Sequence, residues 1–239
     1  MARLPRLVIP NQPLHIMHRG NNKQDIFTTE DDMVRIKEDI AHGLEKSGCS
    51  LHAYVIMTNH LHLLITPENK KQLAVFTQSM ANRYVRYYNA LHKRTGTLWE
   101  GRYKSCLVDS DSYLFSLYKY IEMNPVKANM VADVSEYEWS SYAHNALGKT
   151  DDLITEHCLY EQLSSKPELR HQRYKNIFER IEISKHRLQI TKATLAGEVY
   201  GSESFHRKIS KLVNRTTKLT SHGGDRKSEG FKKSSWPTH

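Results

Sequence analysis

SLHAYVIMTNHLHLLITP, residues 50–67, sets two apolar runs on either side of Thr58-Asn59. The runs are too rich in β-branched and aromatic side chains for a helix, so they read as two adjacent strands with a tight connection. On a strand, residues two apart share a face. His60 and His62 therefore project together, and Leu61 and Leu63 point to the opposite side to feed a core. Two imidazoles on one face are placed to chelate one divalent cation, and neutral imidazole suits Mn, Zn, Ni or Fe better than Mg. An isolated H-x-H pair is more often two hydrogen-bonded structural histidines, and a metal site needs a third polar group from elsewhere.

The flanking segments supply the architecture. PLHIMHRGNN (13–22) reads as a first strand ending on a Gly-Asn-Asn turn. Thr29 is the expected cap of a helix in which Met33, Ile36, Ile40 and Leu44 recur at helical spacing, with Gly48 ending it. A second helix is expected over 69–96, a further strand around 103–108, and a third helix capped at Asp111 or Ser112 and stopped by Asn124-Pro125. The order β-α-β-β-α-β is that of a ferredoxin-like α+β fold, an antiparallel sheet with helices on one face. A catalytic unit over 1–148 is expected, followed by a helical C-terminal region over 149–215 and a basic flexible tail over 216–239. Helical segments are expected near 157–164, 168–182, 185–197 and 203–215. The last two flank VYGSES and form a candidate helix-turn-helix, with Gly201 as the turn and Ser202 as the cap.

At 239 residues, 38% of them hydrophobic, and with a mean hydropathy of -0.64, the chain is long enough to bury a core yet is polar for a globular protein. No apolar run approaches the roughly 18 residues that span a bilayer. The opening residues offer only LVI as an apolar block, too little for a signal peptide. Cys49, Cys106 and Cys158 form no C-x-x-C pair, which argues against a disulfide framework. A cytoplasmic, nucleoid-associated protein with no membrane partner is the expectation. The net charge of +9 favours a polyanionic partner, since clustered Lys and Arg gain affinity by releasing counterions from phosphates.

Tyr120 and Asn124, four apart in LFSLYKYIEMNPVKANMV, share a helix face, so that Asn124 can offer a carboxamide oxygen to a metal beside a phenol. Tyr118 and Glu122 make a competing pair on another face. With these residues the chain resembles the HUH (His-hydrophobe-His) single-tyrosine transposases, and within them the REP-associated tyrosine transposases. The matching segments are HRGNN with Phe27, AYVIMTNHLHLLI, LWEGRYKS and YIEMNPVKANMV, in order over about residues 13–145. The resemblance implies a ferredoxin-like nuclease core with His60 and His62 as metal ligands and Tyr120 as nucleophile. It also implies a third ligand at Asn124, with Glu122 nearby as the alternative. The implied activity is cleavage and rejoining of single-stranded or hairpin DNA through a 5′-phosphotyrosine, with a divalent metal, Mg or Mn, as cofactor. A phenol with a pKa of about 10 needs a nearby cation or base to be activated. A binding protein that has lost the chemistry, or a metal-dependent nuclease using water, are the alternatives; monomer and homodimer are equally compatible with the sequence.

Candidate DNA contacts follow from charge. In NRYVRYYN, Arg83 and Arg86 interleave with tyrosines, an arrangement suited to base stacking and backbone neutralisation, although Tyr84, Tyr88 and Leu91 also fit a buried stripe. Arg102 and Lys104 alternate in WEGRYKS. Arg207, Lys208 and Lys211 lie on the last expected helix.

Overall fold

The computed structural model describes residues 6–218. The chain begins with strand β1 (Leu14–Arg19) and helix α1 (Glu30–Ser47). Thr29 caps α1 in a reciprocal capping box with Asp32, and Gly48 closes it at φ 69°, a left-handed position that costs glycine little. Strands β2 (Ser50–Ile56) and β3 (His60–Thr66) then form the expected antiparallel pair around residues 57–59. Helix α2 (Lys70–Leu91) stops short of Gly96 and is followed by β4 (Lys104–Val108).

Helix α3 (Ser110–Glu122) starts one or two residues before the expected caps. Asp109 occupies its cap position, but the Asp109 carboxylate instead accepts from the Ser202 backbone N–H and hydroxyl, at 3.0 and 2.7 Å. Pro125 does not simply end the helical path. It sits in the first turn of a short helix, α4 (Asn124–Lys127), where its missing N–H is harmless. The rest of the chain adds α5 (Tyr142–Leu147), α6 (Cys158–Glu161), α7 (Pro167–Arg180), α8 (Ile183–Ala196), β5 (Val199–Tyr200) and α9 (Glu203–Val213).

The sheet order is β2-β3-β1-β4-β5. Its first four strands are antiparallel and carry the ferredoxin-like connectivity, whereas β5 joins β4 in parallel. Leu14, Ile16, Leu61, Leu63 and Ile65 pack with α1 and α2 on one face, as expected for the core. The other face is not open. Val55, Leu64, Cys106 and Val108 pack there with Leu117, Tyr118 and Ile121 of α3, and with Tyr174, Ile190 and Ala193 from the later helices.

Residues after 148 thus pack directly on the sheet. The expected helix-turn-helix is also corrected: a strand, β5, separates α8 from α9, and the buried Ile190, Ala193 and Thr194 of α8 lie against the sheet. Ser202 does cap α9, accepting from the Phe205 N–H. Gly201 serves close approach, since a Cβ there would lie 2.6 Å from that of Asp109. The expected tail, apart from residues 216–218, lies outside the described residues. Among the described residues no helix is long and apolar enough to cross a membrane.

Candidate active site

The strand register decides what meets on the α3 face of the sheet. Residues directly opposite in an antiparallel pair place their side chains on the same face. His62 is opposite Met17, and Met17 is opposite Lys104; His60 is opposite Arg19. One row across the sheet thus runs Val55–His62–Met17–Lys104, with His60 and Arg19 in the next. Arg19 is held by Glu100 at 2.6 Å.

His60 and His62 sit with ring centroids 4.9 Å apart and nearly perpendicular. Tyr120, from α3, places its ring edge-on to His62 at 5.6 Å and to a third histidine, His15, also at 5.6 Å. All four residues come together within the one chain described.

The hydrogen bonds assign the ring protons. Thr194 donates its single hydroxyl proton to the Ile190 carbonyl at 2.8 Å, so toward His15 Nδ1, also at 2.8 Å, it can only accept. Burial drives the His15 pKa down to about 3, with the charge of His60 adding to the effect, so its ring is neutral at ordinary pH. His15 Nε2 is then an acceptor, and the 2.8 Å bond to His62 Nδ1 is donated by His62. His60 Nδ1 likewise donates to Asn59 Oδ1 at 2.6 Å. Both Nε2 lone pairs are left without a hydrogen-bond partner among the described residues. Burial holds His62 well below the usual imidazole range and His60 at about 4, so neither competes for a proton near neutrality.

That donor set fits a divalent cation. Two neutral imidazoles present Nε2 lone pairs from one sheet face, and each Nδ1–H is tied to an orienting acceptor, as metal-ligating histidines are. Among the described residues no group of three or more His, Cys, Asp or Glu side chains has metal-holding geometry.

Helical spacing separates the two candidates, Glu122 at the end of α3 and Asn124 at the start of α4. At about 100° per residue, Asn124 returns to within about 40° of Tyr120, whereas Glu122 points about 160° away. Glu122 is fully buried and accepts from Ser141 Oγ (2.6 Å), Asn145 Nδ2 (2.8 Å) and Tyr174 OH (2.6 Å). Burial pushes its pKa up to about 7 against these three bonds. Asn124 turns its amide nitrogen back on α3, donating to the Tyr120 and Ile121 carbonyls at 2.7 and 3.2 Å, and its Oδ1 has no hydrogen bond among the described residues.

Helix α8 packs on β4 beside α3 and reaches the site through Thr191 and Thr194. Thr191 Oγ1 is 3.3 Å from the Tyr120 hydroxyl. Burial raises the phenol's pKa, while the Thr191 hydrogen bond and the Arg187 guanidinium pull it back. His15, Arg187, Thr191 and Thr194 have no place in the sequence expectations. His15 shares the alternation of Met17 and Arg19, a signal that becomes readable only once β1 is paired with β3. The α8 residues form a polar stripe, and a polar stripe looks like a solvent face.

The expected DNA contacts are scattered. Arg83 binds the buried carboxylate of Asp39 at 2.8 Å, joining α2 to α1 on the opposite face of the sheet, and Arg35 shares that carboxylate. Arg86 is exposed on the same helix. Tyr84 and Tyr88 are buried, as a core stripe requires, but Leu91 is exposed. Arg102 is exposed beside β4, Lys104 lies in the His62 row, and Arg207, Lys208 and Lys211 are exposed on α9.

Residues 9–124, from the approach to β1 through Tyr120 and Asn124, match the family described as Transposase IS200 like. The likeness to IS200-like transposases lies in this stretch, a little under half of the chain. The fold of a REP-associated tyrosine transposase, solved bound to a REP hairpin, superposes with a TM-score of 0.53 at 18% identity, over 66% of this chain and 93% of that one. A transposase-like protein from Deinococcus radiodurans R1 aligns at 17% identity with a TM-score of 0.35, over 49% of this chain and 95% of that one. No curated protein sequence matches. The transposase family stretch contains His15, His60, His62 and Tyr120, whereas α8, which covers them, lies beyond it.

Proposed function

We propose that this protein cleaves and rejoins single-stranded or hairpin-bearing DNA, with Tyr120 as nucleophile and His60, His62 and Asn124 holding a divalent Mg or Mn ion. The observation that carries the reading is the pair of free imidazole lone pairs with a phenol packed 5.6 Å from one of the rings. When bound, the cation would polarise a non-bridging phosphate oxygen and offset charge developing at phosphorus.

The Tyr120 oxygen attacks in line, its bond to phosphorus forms, and the bond from phosphorus to the 3′-oxygen breaks. The products are a 5′-phosphotyrosine and a free 3′-hydroxyl, the phenolic proton reaching the leaving oxygen through solvent. The ester conserves the energy of the cleaved linkage, so attack by a second 3′-hydroxyl joins strands. A REP-like hairpin is the proposed substrate because the solved relative of this fold binds one.

The test uses a single-stranded oligonucleotide library randomised around an inverted-repeat hairpin, labelled at either end and incubated with the full chain and Mn²⁺. A covalent protein–DNA adduct that requires Mn²⁺ and vanishes in Tyr120→Phe is the expected result. Cleavage without an adduct would assign the attack to water, and no cleavage would leave only a DNA-binding role.

A further inference from the structure

Helix α8 turns three polar side chains toward the site at positions i, i+4 and i+7: Arg187, Thr191 and Thr194. A helix that merely covered an apolar sheet face would bury apolar residues along that stripe. Here Ile190 and Ala193 do so, but the neighbouring stripe meets Tyr120 and His15 instead.

Arg187 is half-buried, and among the described residues it makes no salt bridge to a carboxylate. It lies one turn before Thr191 on the same face of α8, and Thr191 Oγ1 is 3.3 Å from the Tyr120 hydroxyl. A half-buried guanidinium without a carboxylate partner, one helical turn from the residue that touches the nucleophile, suits a phosphate that arrives with the substrate.

We propose that Arg187 and Thr191 complete the catalytic site. Thr191 is a positioning residue that holds the Tyr120 hydroxyl, and Arg187 contacts the scissile phosphate as the Tyr120–phosphorus bond forms. This rests on the reading of Tyr120 as nucleophile. It assigns part of the chemistry to a helix outside the family-matched stretch, and it makes the C-terminal region necessary for cleavage as well as for DNA affinity. The bonds exchanged are those already given, with no oxidant or further reactant.

The experiment measures single-turnover adduct formation on the hairpin library with Mn²⁺ at saturating DNA, alongside DNA affinity and the thermal unfolding midpoint. Arg187→Gln is expected to slow adduct formation about 100-fold, the loss typical of removing one preorganised charge-stabilising donor. Arg187→Lys should recover part of that rate. Thr191→Val is expected to slow it about 10-fold, and Thr191→Ser to restore it, because only the hydroxyl position matters. A packing role would show no such rescue and would follow the unfolding midpoint.

Wild-type rates in both Arg187→Gln and Thr191→Val would overturn the inference alone. A faster rate in Thr191→Val would also overturn it, by showing that Thr191 restrains Tyr120. Absence of any adduct with the wild-type chain would overturn the nucleophile reading, and this inference with it.

Discussion

His15 has both ring nitrogens occupied, and the two bonds do different work. Through Nδ1 it draws on Thr194, and through Nε2 it accepts from His62, so a threonine hydroxyl on α8 fixes the proton on a β3 imidazole. Groups that orient a ligating imidazole in this way commonly change metal affinity by about 10–100-fold. Thr194→Val keeps the shape and deletes the acceptor for His15. It is expected to weaken Mn²⁺ binding by about 10-fold, in calorimetry with the metal alone, and Thr194→Ser should restore it. Equal Mn²⁺ affinity in Thr194→Val would remove the link from Thr194 to His62.

Helix α3 does two jobs on two faces. Tyr120 packs against His15 and His62 and lies beside Thr191 of α8, while Glu122 ties α3 to α5 and α7 through Ser141, Asn145 and Tyr174. Glu122→Ala would leave three buried donors without an acceptor, a cost of about 3 kcal/mol. For a chain of this size that corresponds to a fall of roughly 10 °C in unfolding midpoint. Mn²⁺ affinity of the folded variant should stay within about twofold, because Glu122 lies on the face away from the histidines. A loss of Mn²⁺ binding without loss of stability would reinstate Glu122 as a ligand. The sequence already contained this division, since helical spacing groups Tyr120 with Asn124 and excludes Glu122. The identity of the face that meets the sheet came from packing.

Across the molecule, Arg207, Lys208 and Lys211 of α9 are exposed and make no salt bridge among the described residues. Arg83, by contrast, is bound to a buried carboxylate. If Arg207, Lys208 and Lys211 each meet a phosphate of single-stranded DNA, replacing all three by Gln lowers the slope of log affinity against log salt by about 2. Fluorescence anisotropy across a salt series measures this directly, and an unchanged slope would place the DNA elsewhere. Adduct formation at saturating DNA should be unaffected, which separates these residues from Arg187.

What could be read in the chain alone was written in local periodicities. Alternation placed His60 and His62 on one face and Leu61 and Leu63 on the other. A repeat near four set Tyr120 beside Asn124, and capping and glycine signals bounded α1 closely. Those patterns record each residue's immediate neighbours along the backbone, so they survive without knowledge of the rest of the fold. The parallel strand β5, the filling of the second sheet face and the His15–Thr194 bond across 179 positions had no such record. Only closing the sheet and laying α8 on it decided them, because contacts between distant segments depend on the burial that both segments gain together.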